Sequence, residues 1–206
     1  MAKELSNKKR LVVIMGLPRS GKNWTALLVS AVLGVGPDNI LGTDSIRQEM
    51  IQSGEIPYEL RYAPESMGQV YERMMQKAKD MLASGLDVIV HATFTREENR
   101  LRMCRLAKEL EARFYVIYIN CGESIIRQRT MEGIPLAGVD SNGSDLPSVC
   151  YPADDSEAGW EVYEAIKKAF VPVKNPNLTI DGSLYSLEIM KELNSYFNGE
   201  RMPALF

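Results

Sequence analysis

The sequence is poor in the residues that build disulfide frameworks and zinc sites. It has three cysteines, Cys104, Cys121 and Cys150, and a single histidine among 206 residues. An odd number of cysteines without a paired metal-ligand spacing excludes a disulfide scaffold and a cysteine–histidine zinc site. We therefore expect reduced thiols and a cytoplasmic protein.

The chain also lacks an excess of positive charge and a long hydrophobic run. Its net charge is −3, whereas proteins that bind polynucleotides usually present a basic footprint, so a small substrate is favoured over nucleic acid. The apolar run from Leu11 to Leu17 is broken by Gly16 and Pro18 and is too short for a membrane span. We expect no membrane partner.

What the chain does contain is an alternation of strand and helix patterns. Continuous apolar runs predict five strands near 11–15, 39–42, 88–90, 114–119 and 178–180. Helical spacing follows most of them, as in the stripe Trp24, Leu27, Leu28, Ala31 and Val32. The residues between 133 and 159 are rich in Gly, Pro, Ser and Asp and predict a loop or lid within 127–159. We expect one α/β domain over 1–206, with three layers, a mostly parallel five-stranded sheet and helices on both faces.

The segment from Gly16 to Asn23 matches the pattern G-x-x-x-x-G-K between a strand and a helix. Glycines let backbone N–H groups turn toward phosphates, the helix N-terminus is positive, and Lys22 adds a mobile cation. This predicts a P-loop NTPase fold that binds ATP, with an ordinary glycine-rich turn as the alternative. The expected nucleotide-binding residues are Gly16, Pro18, Arg19, Ser20, Gly21, Lys22, Asn23 and Trp24.

The last position of the pattern departs from the rule. A serine or threonine hydroxyl normally binds Mg²⁺ there, whereas Asn23 offers an amide oxygen on a side chain one atom longer. We expect Mg²⁺ binding in an altered form. Thr25 lies on another face of the helix and is not expected to replace the missing hydroxyl.

Three further segments carry a family resemblance: TDSIR at 43–47, VYERM at 70–74, and VIVHATF at 88–94 followed by Arg100. With the phosphate loop they resemble the P-loop kinase-like ATP-binding proteins related to bacteriophage polynucleotide kinase and zeta toxin. The likeness covers roughly residues 10–135 and is weaker beyond them. It implies ATP-dependent phosphoryl transfer.

In that family, the aspartate after the second strand takes a proton from the acceptor hydroxyl, and an arginine three residues later holds substrate or phosphate. The resemblance assigns these roles to Asp44 and Arg47. A carboxylate near a phosphate loop can accept such a proton. The alternatives are that Asp44 or Ser45 merely caps a helix, with Gln48 completing a capping box, and that Arg47 is a solvated helix residue.

The family's third strand usually ends in an aspartate that holds Mg²⁺, and here that residue is His91. Imidazole is softer than a carboxylate and carries no negative charge, so it should bind Mg²⁺ less well. Three interpretations stay open for His91: a side chain lining the site, a structural histidine, or a general acid or base.

Related kinases carry lid arginines after the fourth strand that grip the transferring phosphoryl group, and here Arg127 and Arg129 follow that strand. Their spacing of two places them on different helix faces, so only one is expected to act in this way. Two solvent-facing arginines are the alternative.

These residues support three functional hypotheses. The leading one is an ATP-dependent kinase that phosphorylates a hydroxyl of a small molecule. Because Asn23 and His91 replace the usual metal-site residues, the second is a nucleotide-binding protein with weakened or lost catalysis. The third is a polynucleotide 5′-hydroxyl kinase, which the resemblance suggests and the charge balance opposes.

Overall fold

The structure, a computed structural model, describes residues 9–131, 159–174 and 176–198. The strands are β1 (Arg10–Met15), β2 (Ile40–Gly42), β3 (Val88–Ala92), β4 (Arg113–Asn120) and β5 (Leu178–Asp181). The helices are α1 (Lys22–Leu33), α2 (Thr43–Gln52), α3 (Pro64–Ala83), α4 (Glu97–Glu109), α5 (Glu123–Met131), α6 (Trp160–Ala169) and α7 (Ser186–Asn198). Single 3₁₀ turns occur at Pro37–Asn39 and Tyr58–Leu60.

The five strands form one sheet in the order β2-β3-β1-β4-β5, and each pair of neighbours is parallel. The central strand β1 places Ile14 opposite His91 of β3 and Ile117 of β4. Because both faces of such a sheet are covered, its strands are continuous apolar runs rather than alternating ones. The predicted α/β fold with a five-stranded sheet between helices is confirmed.

Two hydrophobic cores lie on the two faces of the sheet, because successive side chains of a strand point to opposite sides. Leu11, Val13 and Met15 belong to one core, with residues of α2, α3 and α4. Val12 and Ile14 belong to the other, with residues of α1 and α7. Each fully buried aliphatic side chain contributes about 1.5–3 kcal/mol to stability. The cores thereby fix the carboxyl edge of the sheet, from which the functional side chains project.

Helix α1 has the predicted bounds but a different buried face. It begins after Gly21 and ends at Gly34, whose φ of 65° is left-handed. Ala26 and Val29 are fully buried against the sheet, whereas Ala31 of the predicted stripe is exposed. The predicted stripe was wrong at this point because Ala26 and Val29, rather than Ala31, lie on the face of the helix that packs on the sheet.

The predicted lid of 127–159 falls mainly outside the described residues. Residues 127–131 belong to α5 and Gly159 immediately precedes α6, which contacts α5. The assignment of 1–206 to a single domain stays a prediction. Among the described residues, the structure has no helix with the length and apolar character needed to cross a bilayer.

Candidate functional site

The loop between β1 and α1 is tightly curved, and its glycines and Arg19 adopt the backbone conformations that this curvature requires. A Cβ on Gly16 would lie 2.6 Å from the carbonyl oxygen of Ile119 in β4, so only glycine fits there. Arg19 and Gly21 adopt left-handed φ angles of 60° and 103°. The loop therefore curls over the end of the sheet into the first turn of α1, whose N–H groups have no acceptor within the helix.

Lys22 opens α1 and bends back over this loop. The residue is 8% exposed, and its Nζ donates a hydrogen bond of 2.7 Å to the carbonyl oxygen of Leu17. The ammonium group is therefore held at the loop rather than extended into solvent. A cation at this place is positioned for an anionic ligand bound by the loop amides.

Arg129 ties the phosphate loop to the segment that follows β5. Its Nη2 donates to the carbonyl oxygen of Gly182 at 2.8 Å, and its Nη1 donates to that of Arg19 at 3.2 Å. A Cβ on Gly182 would lie 2.3 Å from the carbonyl oxygen of Ser20. Sequence reasoning missed Gly182, and only the Asp-Gly pair at the end of the last strand pointed to a turn there.

Arg127 lies on a different face of α5 from Arg129. Its guanidinium group sits 5.0 Å from the centre of the Trp160 ring, at the start of α6. The structure therefore separates the two predicted arginines, with Arg129 at the loop and Arg127 at the α5–α6 contact.

Asp44 and Arg47 form an ion pair at the start of α2, in which Arg47 Nη1 lies 2.5 Å from Asp44 Oδ1. The Arg47 side chain is 10% exposed and also lies over the Tyr62 ring, so it is not a solvated helix residue. The capping alternative was also wrong. The cap position is Gly42, no side chain caps the helix there, and Ser45 Oγ donates to the Gly42 carbonyl instead.

His91 lies between the phosphate loop and this ion pair. Burial among protein atoms, followed by the positive charge of Lys22, lowers the pKa of His91 to about 4, while Asp44 acts in the opposite direction. The imidazole is therefore neutral at pH 7. Gly42 is paired with His91 on the neighbouring strand β2, and a Cβ on Gly42 would lie 2.3 Å from His91 Cε1. This geometry favours the interpretation of His91 as a side chain that lines the site.

Tyr71, which sequence reasoning quoted only for resemblance, organises the segment after β3. Its hydroxyl accepts a hydrogen bond of 3.0 Å from the backbone N–H of Phe94, a residue with a left-handed φ of 47°. The hydroxyl also lies 3.4 Å from Thr93 Oγ1. Burial raises the pKa of Tyr71, so the phenol stays protonated.

The donor set around the loop does not fit the Mg²⁺ site that the family resemblance implies. Mg²⁺ prefers hard oxygen ligands, usually including carboxylates. Here Asn23 is a neutral amide, His91 is a nitrogen donor, and the Thr25 hydroxyl donates to the Gly21 carbonyl at 3.0 Å. The carboxylate of Asp44 is engaged by Arg47. Within 9–131, 159–174 and 176–198, no cluster of three His, Cys, Asp or Glu side chains could hold a metal ion.

Several solved structures with a similar fold are described as kinases. One is the APS kinase of Mycobacterium tuberculosis in complex with AMPPNP and APS, with 16% identity, a TM-score of 0.62 and coverage of 93% of this chain and 98% of that one. Another is a gluconokinase of Sinorhizobium meliloti, with 14% identity, a TM-score of 0.60 and 94% coverage of each chain. A sugar kinase of Janibacter has 13% identity, a TM-score of 0.59 and coverage of 96% and 99%. At these identities the likeness shows the fold.

Comparison with curated proteins finds no significant match to this sequence. Residues 11–132, by contrast, match the family AAA_33, described as an AAA domain. That stretch runs from β1 through α5 and contains the phosphate loop, the ion pair of α2 and His91. The chain therefore belongs to the AAA_33 family, whose P-loop kinase-like character the sequence resemblance and the fold both indicate.

Proposed function

We propose that the protein is an ATP-dependent kinase that moves the γ-phosphoryl group to a hydroxyl of a small molecule. The observation that carries this proposal is the convergence of two sets of residues on His91. Lys22 follows β1 and Asp44 follows β2, and both strands pair in parallel with β3, so the two residues lie at the same edge of the sheet on either side of His91. A cation for the phosphates and a carboxylate for the acceptor are thus close together, as phosphoryl transfer requires.

The backbone of the loop and of the first turn of α1 binds the phosphates in this proposal. Pro18 has no N–H and contributes only the shape of the loop. Trp24 contributes its backbone N–H, because its indole Nε1 donates to Ser186 Oγ at 3.0 Å in α7. The remaining amide donors are those of Gly16, Arg19, Gly21, Lys22 and Asn23. The Ser20 N–H instead donates to the Leu17 carbonyl oxygen at 3.2 Å and holds the turn of the loop.

During transfer, Lys22 Nζ exchanges the Leu17 carbonyl for the β- and γ-phosphate oxygens. The acceptor oxygen attacks the γ-phosphorus, the bond from that phosphorus to the bridging oxygen breaks, and ADP leaves. The acceptor's proton passes to Asp44, whose Oδ1 stays paired with Arg47 while Oδ2 faces the hydroxyl. Pairing keeps the carboxylate in one orientation, which favours a reactive geometry.

We assign the role of the phosphate-side arginine to Arg129 and not to Arg127. Arg129 Nη1 already lies at the Arg19 carbonyl and 3.9 Å from the place that a Gly21 Cβ would occupy. A guanidinium group in this position can stabilise charge on the phosphates. Arg127 is held at the Trp160 ring instead.

The proposal is tested with Lys22→Ala, which removes the cation at the loop. We expect at least about a hundredfold loss of ATP turnover, as for the loss of one preorganised electrostatic contact. ATP binding is measured by isothermal titration calorimetry and turnover by ADP release with a panel of hydroxyl compounds. Lys191→Ala, on the exposed face of α7, is the matched control and should behave as wild type. Wild-type turnover in Lys22→Ala would disprove the assignment.

A second candidate is a nucleotide-binding protein with weakened or lost catalysis, favoured by the neutral donors Asn23 and His91. It predicts ATP binding without ADP release for every acceptor in the panel. A 5′-hydroxyl oligonucleotide belongs in the same panel, since labelled product there would favour a polynucleotide kinase despite the net charge of −3.

A further inference from the structure

The side chains around His91 carry more positive than negative charge. Lys22 lies on its loop side, and Asp44 on its α2 side is already neutralised by Arg47 at 2.5 Å. His91 itself is neutral at pH 7. Within the part of the chain that the structure describes, this half of the site therefore has the cations Lys22 and Arg47 and the carboxylate of Asp44.

On the other side of the loop lie Arg129 and Asp181, which carry opposite charges. Arg129 supplies a cation at the Arg19 carbonyl, and Asp181 at the end of β5 is the carboxylate that acts on it. Asp181 is fixed by hydrogen bonds from the backbone N–H and the hydroxyl of Ser183, at 2.9 and 2.7 Å. Among the described residues, Lys22, Arg47 and Arg129 are three cations against the two carboxylates of Asp44 and Asp181, and Arg19 of the loop is a further cation, so positive charges outnumber negative ones. An aspartate at position 91 would reduce that excess by one charge.

A carboxylate at position 91 would have two effects on a bound triphosphate. It would anchor a metal ion, directly or through water, and it would repel the phosphates whenever the metal is missing. His91 removes both effects together. Gly42 makes room for the ring that replaces the carboxylate, because a Cβ at position 42 would lie 2.5 Å from Nε2.

We propose that this site binds ATP with an affinity that does not depend on Mg²⁺, because Lys22 and Arg129 compensate the phosphate charge and position 91 adds none. The inference rests on the proposed ATP binding and concerns the binding step. It assigns to His91 the role of setting the charge of the site rather than of holding a metal.

The test is calorimetric titration of the wild-type protein with ATP, once with excess MgCl₂ and once with EDTA. We expect the two dissociation constants to agree within about threefold, less than 0.7 kcal/mol. A dissociation constant more than about tenfold lower with MgCl₂ would overturn the inference and leave the kinase proposal standing. Failure to bind ATP in either buffer would overturn the proposed function and this inference with it.

Two variants at position 91 distinguish the effect of a negative charge on ATP binding from the effect of an oxygen donor. His91→Asp restores the carboxylate, and we expect ATP to bind it about tenfold more weakly in EDTA than in MgCl₂. His91→Asn supplies an oxygen donor without charge. Its dissociation constants for ATP in MgCl₂ and in EDTA should agree within about threefold, as in the wild type. If His91→Asp also bound ATP with the same dissociation constant in EDTA and in MgCl₂, the role assigned to His91 would be wrong. If His91→Asp does not fold, the wild-type titration still decides the inference.

Discussion

Gly42 of β2 and His91 of β3 are opposed across parallel strands so closely that the imidazole occupies the space of a β-carbon. The ring lies where a Cβ on Gly42 would approach Cε1 to 2.3 Å and Nε2 to 2.5 Å. The short strand β2 therefore keeps a glycine at the position that leads directly into α2 and Asp44. The large ring at position 91 therefore requires that position 42 has no side chain.

Gly42→Ala should destabilise the protein, because the new methyl group forces the ring or the strand to move. We expect a loss of about 1–3 kcal/mol in the free energy of unfolding, measured by urea denaturation. His91→Ala introduced with Gly42→Ala should recover most of that loss, since it removes the clashing ring. Gly68→Ala is the control, because nothing lies within 4 Å of a Cβ at that helical position. Additive effects of the two substitutions at 42 and 91 would show that the residues do not interact.

The neutral imidazole predicts a pH dependence of stability. Unfolded histidine takes up a proton below its ordinary pKa of 6.5, whereas His91 in the fold does so only near 4. The unfolded state thus binds more protons between these values, and the free energy of unfolding falls as pH falls from 6.5 to 4, by up to about 3 kcal/mol.

This contribution can be isolated because the chain has a single histidine. Urea denaturation of wild type and His91→Asn at pH 7.5, 5.5 and 4.5 gives their difference in stability. The difference in the free energy of unfolding should shift in favour of the variant as pH falls, because asparagine at position 91 takes up no proton in either state. A difference that is constant with pH would contradict a depressed His91 pKa.

The two arginines of α5 predict different effects on nucleotide binding. Arg129→Ala removes the donors to the carbonyl oxygens of Arg19 and Gly182, so the phosphate loop loses its tie to β5. We expect the dissociation constant for ATP to rise about tenfold, as for the loss of one charge-assisted contact. Among the described residues, Arg127 contacts the Trp160 ring and not the phosphate loop, so Arg127→Ala should change ATP affinity less than about threefold. Calorimetry of both variants checks this, and the reverse order would exclude Arg129 from the site.

Asp44→Asn keeps the size of the side chain and removes its basicity. In the proposed mechanism it lowers turnover by about 10²–10⁴-fold, because general base catalysis is lost. ATP affinity should change little, since Asp44 faces the acceptor. ADP release and calorimetry are measured on the same preparation, with Ser45→Ala as the neighbouring control. Undiminished turnover in Asp44→Asn would assign the base elsewhere.

Much of the fold could be predicted because its signals are local. The apolar runs of β1 and β3 mark buried strands within five or six residues, and glycines near both ends bound α1. The buried face of α1 could not be predicted as reliably. Hydrophobic spacing pointed to Ala31, whereas the packing of the helix on the sheet buries Ala26 and Val29.

The candidate site also has one part that local sequence patterns predict and one part that they do not. The phosphate loop follows from a contiguous pattern, and the Asp44–Arg47 pair spans only three positions of one helix, so both are visible in the sequence. The contact of Arg129 with Arg19 joins residues 110 positions apart, and no local pattern marks it. The same holds for the fit of His91 beside Gly42, because it depends on the register of two strands.

The close approach of Gly182 to Ser20 makes the last strand a necessary part of the first motif. Residues 11–132 carry the whole family signature, yet the backbone that closes one wall of the loop comes from beyond them. A fragment that ended at residue 131 would keep the whole phosphate-loop motif. It would lose the Gly182 backbone that packs against the loop. The binding loop is therefore complete only when β5 is in place, although the motif that marks it is contiguous near the start of the sequence.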